Sequence, residues 1–204
     1  MDRKMFGVAT VAALCVAGSA SAQDVLERAQ AGETVRVGFA NDVPWTYPGD
    51  GNRPPGFVNA VALGVLGEMG IDNIGPVVTD WGGLIPGLNA NRFDVIAGGM
   101  HILGSRRETV DFSEPIGVFG DVFNVTSGNP QEIQTYQDIK DQGAVLVTGA
   151  GFNIVEVART VRIADSNVMQ VPGPTEILAA VAEHGHTETR LPGDSITEFA
   201  GANG

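Results

Sequence analysis

Apolar and polar positions alternate between two periods along most of this chain. Residues 34–40, TVRVGFA, are rich in β-branched residues and predict a strand. A polar and aromatic loop follows at 41–47, and the breaker-rich stretch 48–55 predicts a tight turn at a hairpin tip. Val58, Val61, Ala62, Val65, Leu66 and Met69 recur at helical spacing, so a helix is expected over about residues 59–69. A second strand is expected at 77–80, closed by Trp81, then a short helix from Leu84 to Leu88. A third, buried strand is expected at 93–97. Strand, helix, strand, helix, strand is the rhythm of a parallel sheet with right-handed crossovers.

After Gly117 the pattern begins again. An apolar run at 118–125 predicts a long strand with no helix before it, which suits a crossover out of a first lobe. A helix is expected at 135–141, a strand at 144–148, a helix at 154–163 and a strand at 167–171. Pro172, Gly173 and Pro174 make a turn, and Thr175 is expected to cap a helix running to about His184. The natural reading is an α/β protein of two lobes, 23–117 and 118–184. From Gly185 the pattern fails. No strand is visible there to continue the second lobe, and 185–204 read as a loosely ordered tail.

Residues 1–22 read as a signal peptide. Asp2, Arg3 and Lys4 form a net positive start, residues 5–18 are apolar, and Ala20, Ser21 and Ala22 form a small-x-small cleavage site. Cys15 lies inside this segment, and Leu14 stands where a lipoprotein signal needs a small residue. The mature chain, from Gln23, then has no cysteine, which excludes a disulfide framework and a thiolate metal site. Net charge is −12 over the 204 residues. Without Asp2, Arg3 and Lys4, 10 basic and 23 acidic residues leave −13. Nucleic acid and anionic membrane surfaces are poor partners for such a chain.

Candidate chemistry concentrates at 91–115, NRFDVIAGGMHILGSRRETVDFSEP. The expected strand runs into Gly98 and Gly99, whose backbone can turn sharply or lie close to a ligand. His101 follows. Ser105 and Glu108 have the spacing of a capping box at a helix start, beside Arg106. A strand end, two glycines, a ring and an arginine at a helix start suit a clamp for a small anion or zwitterion. No paired catalytic carboxylates, no Ser-His-Asp set and no metal spacing are legible, and His184 and His186 read as solvated. Neither an enzyme nor a cofactor is expected.

The chain resembles the periplasmic solute-binding proteins of polar amino-acid ABC importers, family 3. The resemblance rests on 79–88 (TDWGGLIPGL), 92–96 (RFDVI), Gly99, Met100, Arg106 and 111–115 (DFSEP), and runs from about Thr34 to His184. Within that family it looks most like the ectoine and hydroxyectoine binders, through 39–44 (FANDVP), 70–72 (GID) and 113–118 (SEPIGV). The resemblance implies a type II periplasmic-binding-protein fold with the ligand between two lobes. It implies a periplasmic monomer, a permease partner in the inner membrane and a small zwitterionic ligand.

It further implies that Arg106 clamps a carboxylate, helped by backbone around Gly99. A guanidinium matches a carboxylate in plane and stays charged. A solvated helix arginine is the alternative. Trp45, Trp81 and His101 match positions whose rings surround a delocalised cation. Both tryptophans would also suit a core. His101 departs from the plain aromatic ring expected there, and its protonation would repel a cation, so affinity is expected to fall at acid pH. Asp42 matches an acidic position facing the ligand's positive part, and equally suits a turn after a strand. Thr148 and Asn153 are candidates on the second lobe, where Asn153 could instead cap a helix.

The family continues past the point where the match stops, so the second lobe and the return crossover are expected to be incomplete, with an unpaired sheet edge. Two alternatives to a solute receptor follow: a non-functional remnant, or a dehydratase-like enzyme on the same fold.

Overall fold

The computed structural model describes residues 22–51, 53–118, 120–184 and 187–192. The expected signal peptide, with Cys15, lies almost wholly outside them, as do His186 and the end of the expected tail.

After a helix α1 (Ala22–Gln30), β1 (Val35–Phe39) lies at the centre of a three-stranded parallel sheet, order β2-β1-β3. Val35, Val37 and Phe39, which share one face of the strand, are almost wholly buried. Helix α2 (Phe57–Glu68) leads to β2 (Ile74–Val78), which starts before the expected 77–80. Gly75 and Pro76 disguised it. Proline is tolerated because β2 is an edge strand. A 3₁₀ turn (Trp81–Gly83) and α3 (Leu84–Asn89) then lead to β3 (Val95–Ile96). Asp94, just before β3, ties these elements together. Arg36 donates to it from Nε at 3.0 Å and Nη2 at 2.7 Å, and Arg28 of α1 donates at 3.1 Å.

Helix α4 (Gly104–Arg107) departs from expectation. Its N-cap is Leu103, without a side-chain cap, so Ser105 and Glu108 form no capping box. The Ser105 hydroxyl instead donates to Glu156 of the second lobe at 2.9 Å. Strand β4 (Asp121–Asn124) is shorter than the expected 118–125, and Val118 is almost fully exposed in the connection before it. The capping box occurs at α5 (Tyr136–Gln142), where Thr135 and Asp138 cap each other. Strand β5 (Val145–Gly149), α6 (Ile154–Val161), β6 (Val168–Val171) and α7 (Pro174–His184) follow. Helix α7 starts at Pro174 rather than behind a Thr175 cap. Proline suits a first helical position because its missing N–H would have no partner there.

The largest correction is at the end of the second lobe. Thr187–Pro192 form a seventh strand, β7, which pairs antiparallel with β4 and parallel with β5. The sheet order is β4-β7-β5-β6, so β7 is interior and the expected lost strand is present. The sequence TETRLP hid it, having one aliphatic residue in six. Its strand state comes from ladders on both sides rather than from its own hydrophobic period.

Each lobe has its own core. Val35, Val37, Val58 and Ile74 lead one cluster in the first lobe. Ile139, Leu146, Val147, Ile154 and Ile177 lead that of the second.

Candidate functional site

The parallel strands of both lobes end at one cleft, as ligand sites in open α/β sheets do. The loop after β1 brings Asn41 and Asp42, and that after β2 brings Thr79, Asp80 and Trp81. The second lobe supplies Phe152 after β5 and 172–176 after β6. The cleft has a volume of about 380 Å³, enough for a small organic molecule.

Trp81 joins the lobes. Its ring packs against the second lobe's core as well as against the cluster of Leu84 and Phe93 in the first. It meets Phe152 edge-on, with centroids 5.2 Å apart at 71°. Phe152 can lie over the end of β5 because Gly149 has no side chain. A Cβ there would stand 2.6 Å from the Phe152 ring. The Trp81 indole N–H donates to the Gly151 carbonyl at 3.2 Å.

Beside the cleft is a second cluster. Arg106 is 8% exposed and donates from Nη1 to the His101 carbonyl at 2.8 Å and from Nη2 to the Gly151 carbonyl at 2.7 Å. A guanidinium has five N–H groups, so three are left for solvent or a ligand. Burial pulls the Arg106 pKa down, opposed by the Glu156 charge, and the group remains a cation. Asp121, at the start of β4, faces His101 and accepts from the Asn153 side chain. Burial raises its carboxyl, and both neighbours oppose the rise.

Residues 35–192 match the model of bacterial extracellular solute-binding proteins, family 3. The chain belongs to that family. It is 32% identical over 181 residues to a Sinorhizobium fredii protein described as a probable amino-acid ABC transporter periplasmic-binding protein. That match covers 88% of this chain and 60% of the relative. It is 29% identical to the L-cystine-binding protein TcyJ of Escherichia coli, over 76% of this chain and 57% of the relative. The chain therefore spans about 60% of the length of the curated relatives it matches. Among solved structures it is similar to EhuB in complex with hydroxyectoine. That likeness has a TM-score of 0.79 and 25% identity, covering 91% of this chain and 72% of that one. The ancestral amino-acid-binding protein AncCDT-1, a precursor of cyclohexadienyl dehydratase, shares the fold, with a TM-score of 0.75 and 22% identity over 87% and 78% of the two chains.

In this family-3 solute-binding protein the sequence candidates fall into distinct groups. Asp42 and Trp81 line the cleft. Asp42 is 7% exposed, and burial alone pushes its carboxyl up to about 6. Arg106, His101 and Asn153 gather beside the cleft, around Gly151 and Asp121. Asn153 stands at the start of α6 without capping it, because its side chain is turned to Asp121. Gly99 is exposed at φ +61°, a backbone state that favours glycine. Two candidates lie elsewhere. Trp45 is in the first lobe's core, edge-on to Phe57 at 6.0 Å, and is not among the residues lining the cleft. Thr148 is fully buried on β5, with its hydroxyl unpaired among the described residues.

Four residues at these sites were missed from sequence: Asp80, Phe152, Glu176 and Asp121. Asp121 carried a signal, a charge beside an apolar run. Asp80 and Glu176 carried none, since an acid in a loop or first helical turn is ordinary.

Proposed function

We propose that this chain is the extracytoplasmic substrate-binding component of an ABC importer, acting in the periplasm and docking on an inner-membrane permease. It holds a small zwitterion of the amino-acid type, ectoine and hydroxyectoine included, between its lobes.

The observation that carries this reading is Arg106. A nearly buried guanidinium at the lobe junction spends two N–H groups on the backbone and keeps three. A carboxylate would take them in plane. Asp42 and Trp81 offer a charge and a ring face for the ligand's positive part. Ligand contacts made to both lobes favour the closed state, which is how such a receptor signals occupancy.

The protein binds and does not transform its ligand. Titration calorimetry with ectoine, hydroxyectoine and a panel of amino acids, followed by analysis of the recovered ligand, tests this. Saturable binding with unchanged ligand supports the reading. Product formation, or no binding by any of them, overturns it.

A further inference from the structure

Residues 150–156 of the second lobe, which hold the turn after β5 and the first turn of α6, touch two separate elements of the first lobe. The 3₁₀ turn approaches them backbone to backbone. A Cβ on Gly151 would stand 3.3 Å from the Gly82 Cα, and one on Gly82 would stand 3.5 Å from the Ala150 carbonyl oxygen. Trp81, beside Gly82, donates its indole N–H to the Gly151 carbonyl at 3.2 Å. From α4, Arg106 donates to the same carbonyl at 2.7 Å, and the Ser105 hydroxyl donates to Glu156 at 2.9 Å.

Each of these contacts joins one lobe to the other without a ligand atom. Gly82, Gly151, Ser105 and Glu156 are not among the described residues lining the cleft. Ser105 stands at a helix start, where its hydroxyl could serve its own backbone, yet it is spent on the opposite lobe. Glu156 takes that bond, and its charge also faces Arg106 and supports the cation there.

We propose that residues 150–156, Gly82 and Ser105 form a ligand-independent latch that keeps the lobes together in the empty protein, with Glu156 as a positioning residue that sets how fast a ligand enters and leaves. The latch is a property of the empty chain, and its effect on ligand traffic rests on the solute-binding reading. A contact made alike in the empty and the occupied closed states stabilises both by the same amount. Where the empty protein is mostly closed, such a contact leaves affinity nearly unchanged and slows association and dissociation together. A direct ligand contact acts otherwise, because its loss speeds dissociation alone.

The distance between spin labels on the ligand-free full chain reads the latch directly. Labels go on Glu68→Cys at the end of α2 and Arg159→Cys on α6, with Cys15→Ser. One narrow distribution at the closed distance is expected. Ser105→Ala removes an exposed hydrogen bond to a charged acceptor, so the open-to-closed ratio should rise about fivefold. Glu156→Ala should match it, and Glu156→Gln, which keeps an acceptor, should stay nearer the unsubstituted chain. A ligand-free chain that is mostly open, or alanine variants as closed as their parent, overturns the latch. Stopped-flow measurement with the ectoine or amino acid that binds in calorimetry should show both rate constants about fivefold higher in Ser105→Ala, at unchanged Kd. Faster dissociation alone would assign Ser105 to the ligand and also overturn it. Failure of every ligand in calorimetry sinks the solute-binding reading and leaves the distances to decide the latch.

Discussion

The Nη2 of Arg106 donates to the carbonyl of Gly151 at 2.7 Å, although the two residues belong to opposite lobes. The same oxygen accepts the Trp81 indole N–H at 3.2 Å. Gly151 sits at φ +79°, and a Cβ there would stand 3.3 Å from the Gly82 backbone. One carbonyl at a close approach of the two lobes thus holds both an arginine and a tryptophan from the first lobe. Ser105 to Glu156, at 2.9 Å, adds a third bond across the junction.

Arg106→Lys keeps the charge and loses the planar fork. Carboxylate affinity should fall by about 2 kcal/mol or more, roughly 30-fold, because a point charge cannot hold the His101 and Gly151 carbonyls and a carboxylate together. Calorimetry on wild type and variant checks it. An unchanged affinity would remove Arg106 from the ligand site.

Trp81→Phe keeps an edge-on ring against Phe152 and removes the N–H to Gly151. The chain has 2 tryptophans, and Trp45 is held in the first lobe's core. Ligand-dependent change in tryptophan emission should therefore come from Trp81 and vanish in the variant. A full fluorescence response from the variant would place the reporter at Trp45.

Asp42 makes stability depend on pH in the opposite sense from most carboxylates. Burial raises its folded value to about 6 from an ordinary 3.8, so the folded chain holds the proton more tightly than the unfolded one. The penalty is absent below about 3.8, grows between 3.8 and 6, and is complete above 6. Two units correspond to about 3 kcal/mol. Asp42→Asn should raise urea stability by that order at pH 8, with the gain shrinking towards pH 4.

The same carboxyl links ligand binding to protons. Asp80 and Glu176 also line the cleft. A positive ligand group favours ionised Asp42, so affinity for the zwitterionic ligand should hold above pH 7 and fall as pH drops below about 6. Asp42→Asn should flatten that profile. Equal loss in the variant would assign the effect to another group.

Asp94 runs the other way. Burial works against its charge, but the hydrogen bonds from Arg36 and Arg28 prevail and hold the carboxyl at about 2. Its contribution is full above 3.8 and is lost as pH falls from 3.8 towards 2. Asp94→Asn should cost about 2 kcal/mol in urea unfolding at pH 7, with the difference narrowing as pH approaches 3.

Hydrophobic period and turn chemistry made much of this molecule legible. The strands at Val35–Phe39 and Val145–Gly149 follow from apolar runs that are buried, and the helix over Phe57–Glu68 forms where its spacing places it, although Val65 and Met69 of the expected apolar face are exposed. The two-lobed α/β plan followed from the same local information, and the family from the resemblance of its motifs, 79–88 and 92–115 among them. Arg106, Asp42 and Trp81 were legible as chemistry, because a charge or a large ring beside a strand end is informative without coordinates.

Tertiary structure alone decided the rest. Strand β7 has no hydrophobic period of its own and exists through its ladders to β4 and β5. Trp45 and Trp81 have the same side chain, but the first went to a core and the second to the lobe junction, and only packing separates them. The arginine motif of 91–115 was visible in sequence, whereas the bond from Arg106 to the Gly151 carbonyl was not. A backbone carbonyl has no sequence signature, and its position depends on how two lobes far apart in the chain meet.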